Sequence, residues 1–146
     1  MRPKNFVTSY RGAHLAIEKT VNRIFGVIRS YPAARRILPD LNEQFSAHLR
    51  RQDNQFYLKI REHFARDHHA LKMIEFLEVD TKNIKLTVFE FFDKYSSDSS
   101  DIAARNFPID FRRFADEIQI RIVTEKDYLL PLLTDFCGHA SIKESI

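Results

Sequence analysis

Polar side chains able to bind a metal or a ligand fall inside apolar helical stripes at two places in this 146-residue sequence. Arg121 and Glu125 lie four residues apart within the last long stripe, and His48 and Gln52 lie four residues apart within residues 41–60. A charged group on a buried helix face is costly unless it is paired or binds something. These four residues are therefore candidates for a metal site, a ligand site or a polar layer in the core.

Three further histidines are placed where they can join such a site. His14 stands at the head of the first apolar stripe, and His68 and His69 lie near the start of the third. Metal sites in proteins use neutral imidazoles and anionic carboxylates as ligands. The guanidinium of Arg121 is always charged, so it cannot be a ligand and would repel a metal cation in the same layer. In a helical bundle, these histidines and the two pairs could lie at matching heights and form one polar layer.

Structural interpretations stay open for the same residues. Polar groups in a core need hydrogen-bond partners in any case, so His48 and Gln52 can be a bonded core pair. Arg121 and Glu125, one helical turn apart, can be a structural ion pair. His14 can be a partly buried histidine at a helix start. We favour the structural interpretation for the first two pairs and leave His14 open.

Apolar residues at helical spacing predict helices separated by polar or proline-containing connections. The first predicted helix runs from Thr8 or Ser9 to just before Pro32, and a connection over residues 32–39 leads to a second helix over 41–60. After a break near 62–66, the third predicted helix carries Ala70 to Phe91, and a polar linker follows over 96–107. The fourth predicted helix runs from Pro108 to about Phe136 and ends at Gly138, before a tail over 139–146. Connections of this length predict an all-α, up-down-up-down four-helix bundle. Residues 1–146 are predicted to form one domain, with a core over about 8–136.

Composition excludes several classes of function. The 23 basic and 20 acidic residues give a formal net charge of +3, and the basic residues are spread along every segment, so we expect no nucleic-acid partner. No apolar run is long enough to span a membrane. The single cysteine, Cys137, and an N-terminus without an apolar signal region predict a cytoplasmic protein. Without a nucleophile elbow, a phosphate loop or zinc spacing, we expect no enzymatic activity.

The motifs resemble those of the hemerythrin-like (HHE) domain family over roughly residues 10–134. HLRRQDNQFYLKI, from His48, looks like the family's HxxxEExxLYPxL, and RIVTEKDYLLPLL, from Arg121, looks like HIxxEExxLFPLL. DHHALK resembles the family's third-helix motif. Family members hold a non-haem di-iron centre that binds or senses oxygen or iron. The resemblance implies a metal ligand set of His14, His48, His68 or His69, and Glu125.

Two departures from the family pattern decide the functional prediction. Gln52 stands where the family has a carboxylate, and Arg121 stands where it has a histidine. We therefore expect an incomplete di-iron site in which Gln52, Arg121 and Glu125 replace the metal. The predicted function is that of a non-enzymatic, bacterial-type regulatory or binding protein with a protein partner and no cofactor.

Two alternatives remain. The first is a genuine non-haem iron-binding hemerythrin, holding one or two ions, that binds or senses oxygen or iron. The second is an anti-sigma-like protein-binding module, because the run from Arg121 to Glu125 also resembles the last helix of the Rsd/AlgQ regulators, which bind the sigma-70 factor. The sequence leaves the oligomeric state open.

Overall fold

The computed structural model describes residues 3–145, and the side-chain surroundings of residues 7–138. Every element in this part of the chain is helical: α1 Pro3–Gly26, α2 Tyr31–Arg50, α3 Asn54–His63, α4 His68–Ser97, α5 Asp101–Thr124, a π-helical turn Glu125–Leu129, and α6 Leu130–Ser145. The described residues contain no strand, which confirms the all-α prediction. None of their helices has the length and apolar character needed to cross a membrane.

Side-chain caps fix where most of the helices begin. Ser30, Asp53, Asp67 and Ser100 each precede a helix, and each side-chain oxygen accepts a hydrogen bond from the backbone N–H three residues later. Such a cap satisfies an N–H that has no partner within the helix, and it is worth about 1 kcal/mol. Capping therefore sets helix boundaries that the positions of proline alone predicted poorly.

Two predicted connections are helical. Residues 32–39 belong to α2, because Ser30 caps that helix and Pro32 lies in its first turn, where no N–H is needed. The predicted linker over 96–107 shrinks to residues 98–100, because Ser100 caps α5 and Pro108 lies inside that helix. The final helix also continues to Ser145, so the predicted stop at Gly138 is wrong.

The predicted helix over residues 41–60 is two helices. It is interrupted at residues 51–53, where the Gln52 N–H bonds to the Leu49 carbonyl and Asp53 caps α3. The break predicted near residues 62–66 lies close to the observed connection over 64–67. The interruption at 51–53 places Gln52 in a connection, while its side chain remains buried.

Two apolar clusters fill the core on either side of a layer of polar side chains. The larger cluster draws on α1, α2, α4 and α5, and the smaller one on α1, α3, α4, the π turn and α6. Between them lie six buried side chains, here called the polar layer: His14, His48, Gln52, Thr81, Arg121 and Glu125. Along α1, for example, Tyr10 belongs to the smaller cluster, His14 to the layer and Ile17 to the larger cluster. The helices therefore cross the polar layer at one height.

Substitution of two isoleucines of α5 should lower the free energy of unfolding by very different amounts. Ile118 is 2% exposed and belongs to the larger cluster, whereas Ile109 is 61% exposed. Ile118→Ala should lower the free energy of unfolding by about 2–5 kcal/mol, because it removes buried methyl groups and leaves a cavity. Ile109→Ala should change it by about 0.5 kcal/mol or less. Urea unfolding followed by circular dichroism measures both, and equal losses would contradict the described core.

Candidate functional site

The carboxylate of Glu125 lies at the centre of the polar layer and accepts hydrogen bonds on both oxygens. His14 Nε2 and His48 Nε2 lie 2.9 and 2.6 Å from its Oε1. Arg121 Nε and Gln52 Nε2 donate to its Oε2 at 2.8 and 3.2 Å. Because a carboxylate only accepts hydrogen bonds, each histidine must carry a proton on Nε2. The side chain is 1% exposed, so these four groups replace its hydration.

Glu125 is ionised in spite of its burial. Burial alone would raise the pKa of this carboxyl, but the hydrogen bonds from His14 and His48 and the charge of Arg121 outweigh that effect. Its pKa therefore lies well below the usual range for glutamate. The layer thus contains a negative charge at neutral pH, and this charge needs a positive partner.

Arg121 supplies that partner and points into the core, where it is 2% exposed. Besides the bond from Nε to Glu125, its Nη1 donates to Asp80 Oδ2 at 2.6 Å. Its Nη2 donates to Gln52 Oε1 at 2.5 Å and to Thr81 Oγ1 at 2.7 Å. The guanidinium therefore joins α5 to α4 and to the connection between α2 and α3. Charge-assisted bonds of this kind are stronger than bonds between neutral groups.

Gln52 bridges the cation and the anion with one amide group. Its oxygen accepts from Arg121 and lies 3.2 Å from the hydroxyl oxygens of both Tyr57 and Thr81, while its nitrogen donates to Glu125. The hydroxyl oxygens of Tyr57 and Thr81 lie 2.6 Å apart, so one of them donates to the other and at most one donates to Gln52. A carboxylate at position 52 could not donate to Glu125, so the amide fits this place better than the glutamate of the family pattern.

A π-helical turn begins at Glu125, with the Leu130 N–H bonded to the Glu125 carbonyl five residues earlier. Pro131 follows and has no N–H to contribute to a regular α-helix. The turn holds one more residue than an α-helical turn, and the consecutive residues Leu129 and Leu130 are both buried. Turns of this type frequently occur at functional sites.

Five of the residues predicted from the sequence come together in the polar layer: His14, His48, Gln52, Arg121 and Glu125. His68 and His69 do not join them, which corrects the predicted third-helix ligand. Both are exposed in the first turn of α4. Thr81, the α4 residue in the layer, comes 13 positions after His68 in the sequence, or about 20 Å along a helix.

Three further residues, which the sequence did not predict, complete the network. Thr81 could have been found, because it is a polar residue within the apolar stripe of α4, between Leu77 and Ile84. Asp80 carries no such signal, because it lies beside the stripe. Tyr57 fits the apolar pattern of its helix, and only its hydroxyl contacts with Thr81 and Gln52 connect it to the site.

One group of side chains in the described part of the chain has the donors and the spacing for a metal ion. Ligand atoms of His14, His48 and Glu125 lie within 4.8 Å of one another. Two imidazoles and one carboxylate suit a single iron ion. A metal-bound histidine usually donates its other ring N–H to an acceptor, but His48 Nδ1 has no hydrogen-bond partner among the described residues. Arg121 stands beside Glu125 in place of further ligands, so these residues do not fit a two-ion centre.

Comparison with protein-family models, curated proteins and solved structures gives no match for this chain. Membership of the hemerythrin-like family therefore stays a prediction from the motifs. The functional interpretation depends on the geometry of the polar layer.

Removal of the buried cation should destabilise the protein strongly. Arg121→Met leaves Glu125 buried beside Asp80 without a positive partner, and we expect a loss of about 3–5 kcal/mol in the free energy of unfolding. Arg112→Met, on the exposed side of the same helix, should change it by about 0.5 kcal/mol or less. Chemical denaturation at neutral pH compares the two variants. A similar small effect for both would show that the ion pair contributes little.

The lowered pKa of Glu125 predicts a loss of stability in acid. The unfolded chain takes up this proton at the ordinary glutamate pKa of about 4.3, whereas the folded chain resists protonation at lower pH. The contribution of Glu125 is therefore complete above that value and falls as the pH drops below it. Glu125→Gln cannot titrate, so its stability should depend less on pH in this range. Urea unfolding at several pH values tests this, and parallel profiles would contradict the assigned ionisation.

Proposed function

We propose that this protein is a non-enzymatic, hemerythrin-like regulatory or binding domain in which an arginine takes the place of the metal. The observation that carries the proposal is the inward position of Arg121, bonded to Glu125, Gln52 and Thr81 in the layer where the family pattern expects iron. A buried carboxylate needs a compensating cation, and this chain supplies a permanent one. Glu125 is held ionised, and both of its oxygens accept hydrogen bonds, which suits a structural role better than the role of a catalytic base.

The proposed fold is an up-down-up-down bundle whose four arms are α1, α2 with α3, α4, and α5 with the π turn and α6. Contacts between α1 and α2, α2 and α4, α4 and α5, and α1 and α6 support this arrangement. Opposed directions are indicated where early residues of one helix meet late residues of its neighbour. Tyr31, the first residue of α2, donates to the carbonyl of Asp98 just after α4, and Tyr95, near the end of α4, donates to Asp110 in the first half of α5.

The replacements at positions 52 and 121 support each other. A metal centre needs additional carboxylates to balance its charge, whereas a single guanidinium carries one positive charge. With Gln52 in place of a glutamate, Arg121 pairs with two carboxylates among the described residues, those of Glu125 and Asp80. The amide also supplies both an acceptor for Arg121 and a donor for Glu125. The buried charges of Glu125 and Arg121 are therefore compensated within the protein without a metal ion.

Metal analysis of the purified protein tests the proposal directly. Protein from a native source should contain far less than one equivalent of iron, zinc or manganese by mass spectrometry, and should lack the near-ultraviolet and visible absorption of an oxo-bridged di-iron centre. Metal at stoichiometric occupancy would overturn the proposal. The readout does not depend on any assumed partner.

A gain-of-function variant sharpens the test. Gln52→Glu with Arg121→His restores the two family ligands, and this variant should bind added Fe²⁺ and be stabilised by it, by about 2.7 kcal/mol at a hundredfold excess over Kd. The matched control, Gln52→Glu with Arg112→His, keeps the cation in place and should show no such stabilisation. If added Fe²⁺ stabilised both variants equally, or neither, Arg121 would not be the residue that keeps metal out of the site.

A second candidate function is single-ion binding, which is favoured by the short spacing of His14, His48 and Glu125. In that case an ion would replace the two Nε2 protons that now face Glu125. Isothermal titration of the wild-type protein with Zn²⁺ or anaerobic Fe²⁺ distinguishes the candidates. One equivalent bound, and lost in His48→Ala, would favour the single-ion site. No heat of binding would favour the metal-free domain.

A further inference from the structure

The outer face of α4 carries a second apolar stripe, directly opposite its buried one. The buried stripe consists of Ile74, Leu77, Thr81, Ile84 and Val88. On the opposite side, Phe76, Val79 and Leu86 are 53%, 53% and 57% exposed. Together with Asn83 they follow a spacing of three, four and three residues. This is the pattern of a helix that packs against a second helix along a narrow seam.

The fold of a single chain does not explain this stripe. Surface helices of globular proteins are polar on the side away from the core, whereas α4 exposes large apolar side chains there. The same heptad spacing extends to Lys72 at one end and Glu90 at the other. The seam, here defined as residues 72, 76, 79, 83, 86 and 90, is about 27 Å long.

We propose that this seam binds a second copy of the chain, with the two α4 helices antiparallel about a two-fold axis near residue 81. In this register Phe76 faces Leu86 of the second copy, and Val79 faces Asn83 of the second copy. Each contact occurs twice, as an isologous interface requires. The apolar centre is then buried on both sides.

The charges at the two ends of the seam select this partner. In the antiparallel register, Lys72 of each copy faces Glu90 of the other, which gives two complementary pairs. A parallel register would place Lys72 against Lys72 and Glu90 against Glu90, which is unfavourable. Asn83, a single polar residue at a seam position, is the kind of residue that fixes the register of paired helices. The seam is thus self-complementary in one orientation.

The proposed contact runs beside the polar layer without depending on it. Asp80, which accepts from Arg121, flanks the seam and has a side chain that is 36% exposed. Assembly would cover Asp80 and reduce the exposure of its ion pair to water. The proposal rests on the surface of α4 alone, so it can fail or hold whatever the metal analysis finds.

Sedimentation velocity on the full chain tests the contact. The wild-type protein should show a dimer that dissociates on dilution, with a Kd on the order of micromolar, because the seam is short. Val79→Asp should weaken the dimer at least about a hundredfold by placing charges near the axis. Leu86→Asp is a second disrupting variant at an exposed position. Leu15→Asp, on the exposed side of α1, is the matched control and should leave the dimer unchanged.

A charge exchange tests the orientation. Lys72→Glu and Glu90→Lys should each weaken the dimer about tenfold, and the double variant should recover wild-type affinity, because the pairs re-form with reversed sign. Circular dichroism confirms that each variant is folded. A wild-type protein that stays monomeric at all concentrations would overturn the proposal. A dimer that persists in folded Val79→Asp, or a double variant that fails to recover, would overturn it equally.

Discussion

The whole arrangement depends on the ionised carboxylate of Glu125, which is enclosed in the core. An unpaired buried charge costs several kcal/mol, which is a large part of the stability of a domain of this size. Four side chains from different parts of the chain converge on it: His14, His48, Gln52 and Arg121. Each must arrive at the correct height and rotation. This requirement links the positions of α1, α2, α5 and the interruption after α2 to a single group.

The polar layer divides the apolar core and thereby constrains how the helices pack. Hydrophobic contacts are non-directional, so the two clusters alone would tolerate a helix sliding past its neighbour. The bonds of Arg121 to Asp80 and Thr81 on α4 do not tolerate such a slip, because one helical turn is about 5.4 Å. The layer therefore adds positional specificity to stability that comes mainly from apolar burial.

The parts of the site that could be predicted from sequence are those that break a hydrophobic pattern. Arg121, Glu125, His48 and Gln52 interrupt apolar stripes of period 3.6, and the structure buries all four. His68 was misplaced because a motif match gives residue types but not the height along a helix. Contacts to residues beside a stripe, such as Asp80, depend on how neighbouring helices pack, and the spacing of apolar residues in the sequence does not indicate that packing.

Helix boundaries were predicted less well, for a related reason. Proline is a strong helix-breaking signal in the sequence, and it predicts connections that extend to Pro39 and to just before Pro108. In the structure, both prolines lie inside helices. Ser30 and Ser100 provide side-chain caps upstream, and these caps begin α2 about three turns earlier and α5 about two turns earlier than predicted. Local bonds to a single oxygen thus outweighed the loss of one backbone donor.

The π turn at Glu125–Leu129 changes the direction in which the residues after it face. One additional residue in a turn rotates everything after it by about 100° relative to a regular α-helix. The buried faces of α5 and α6 are therefore continuous in space, but the helical spacing of their buried residues shifts by one residue at the π turn. Any uninterrupted helix aligned with this segment would need a one-residue gap after Glu125. The length of the segment between Glu125 and Leu130, rather than the identity of its exposed residues, keeps both flanking helices in register with the core.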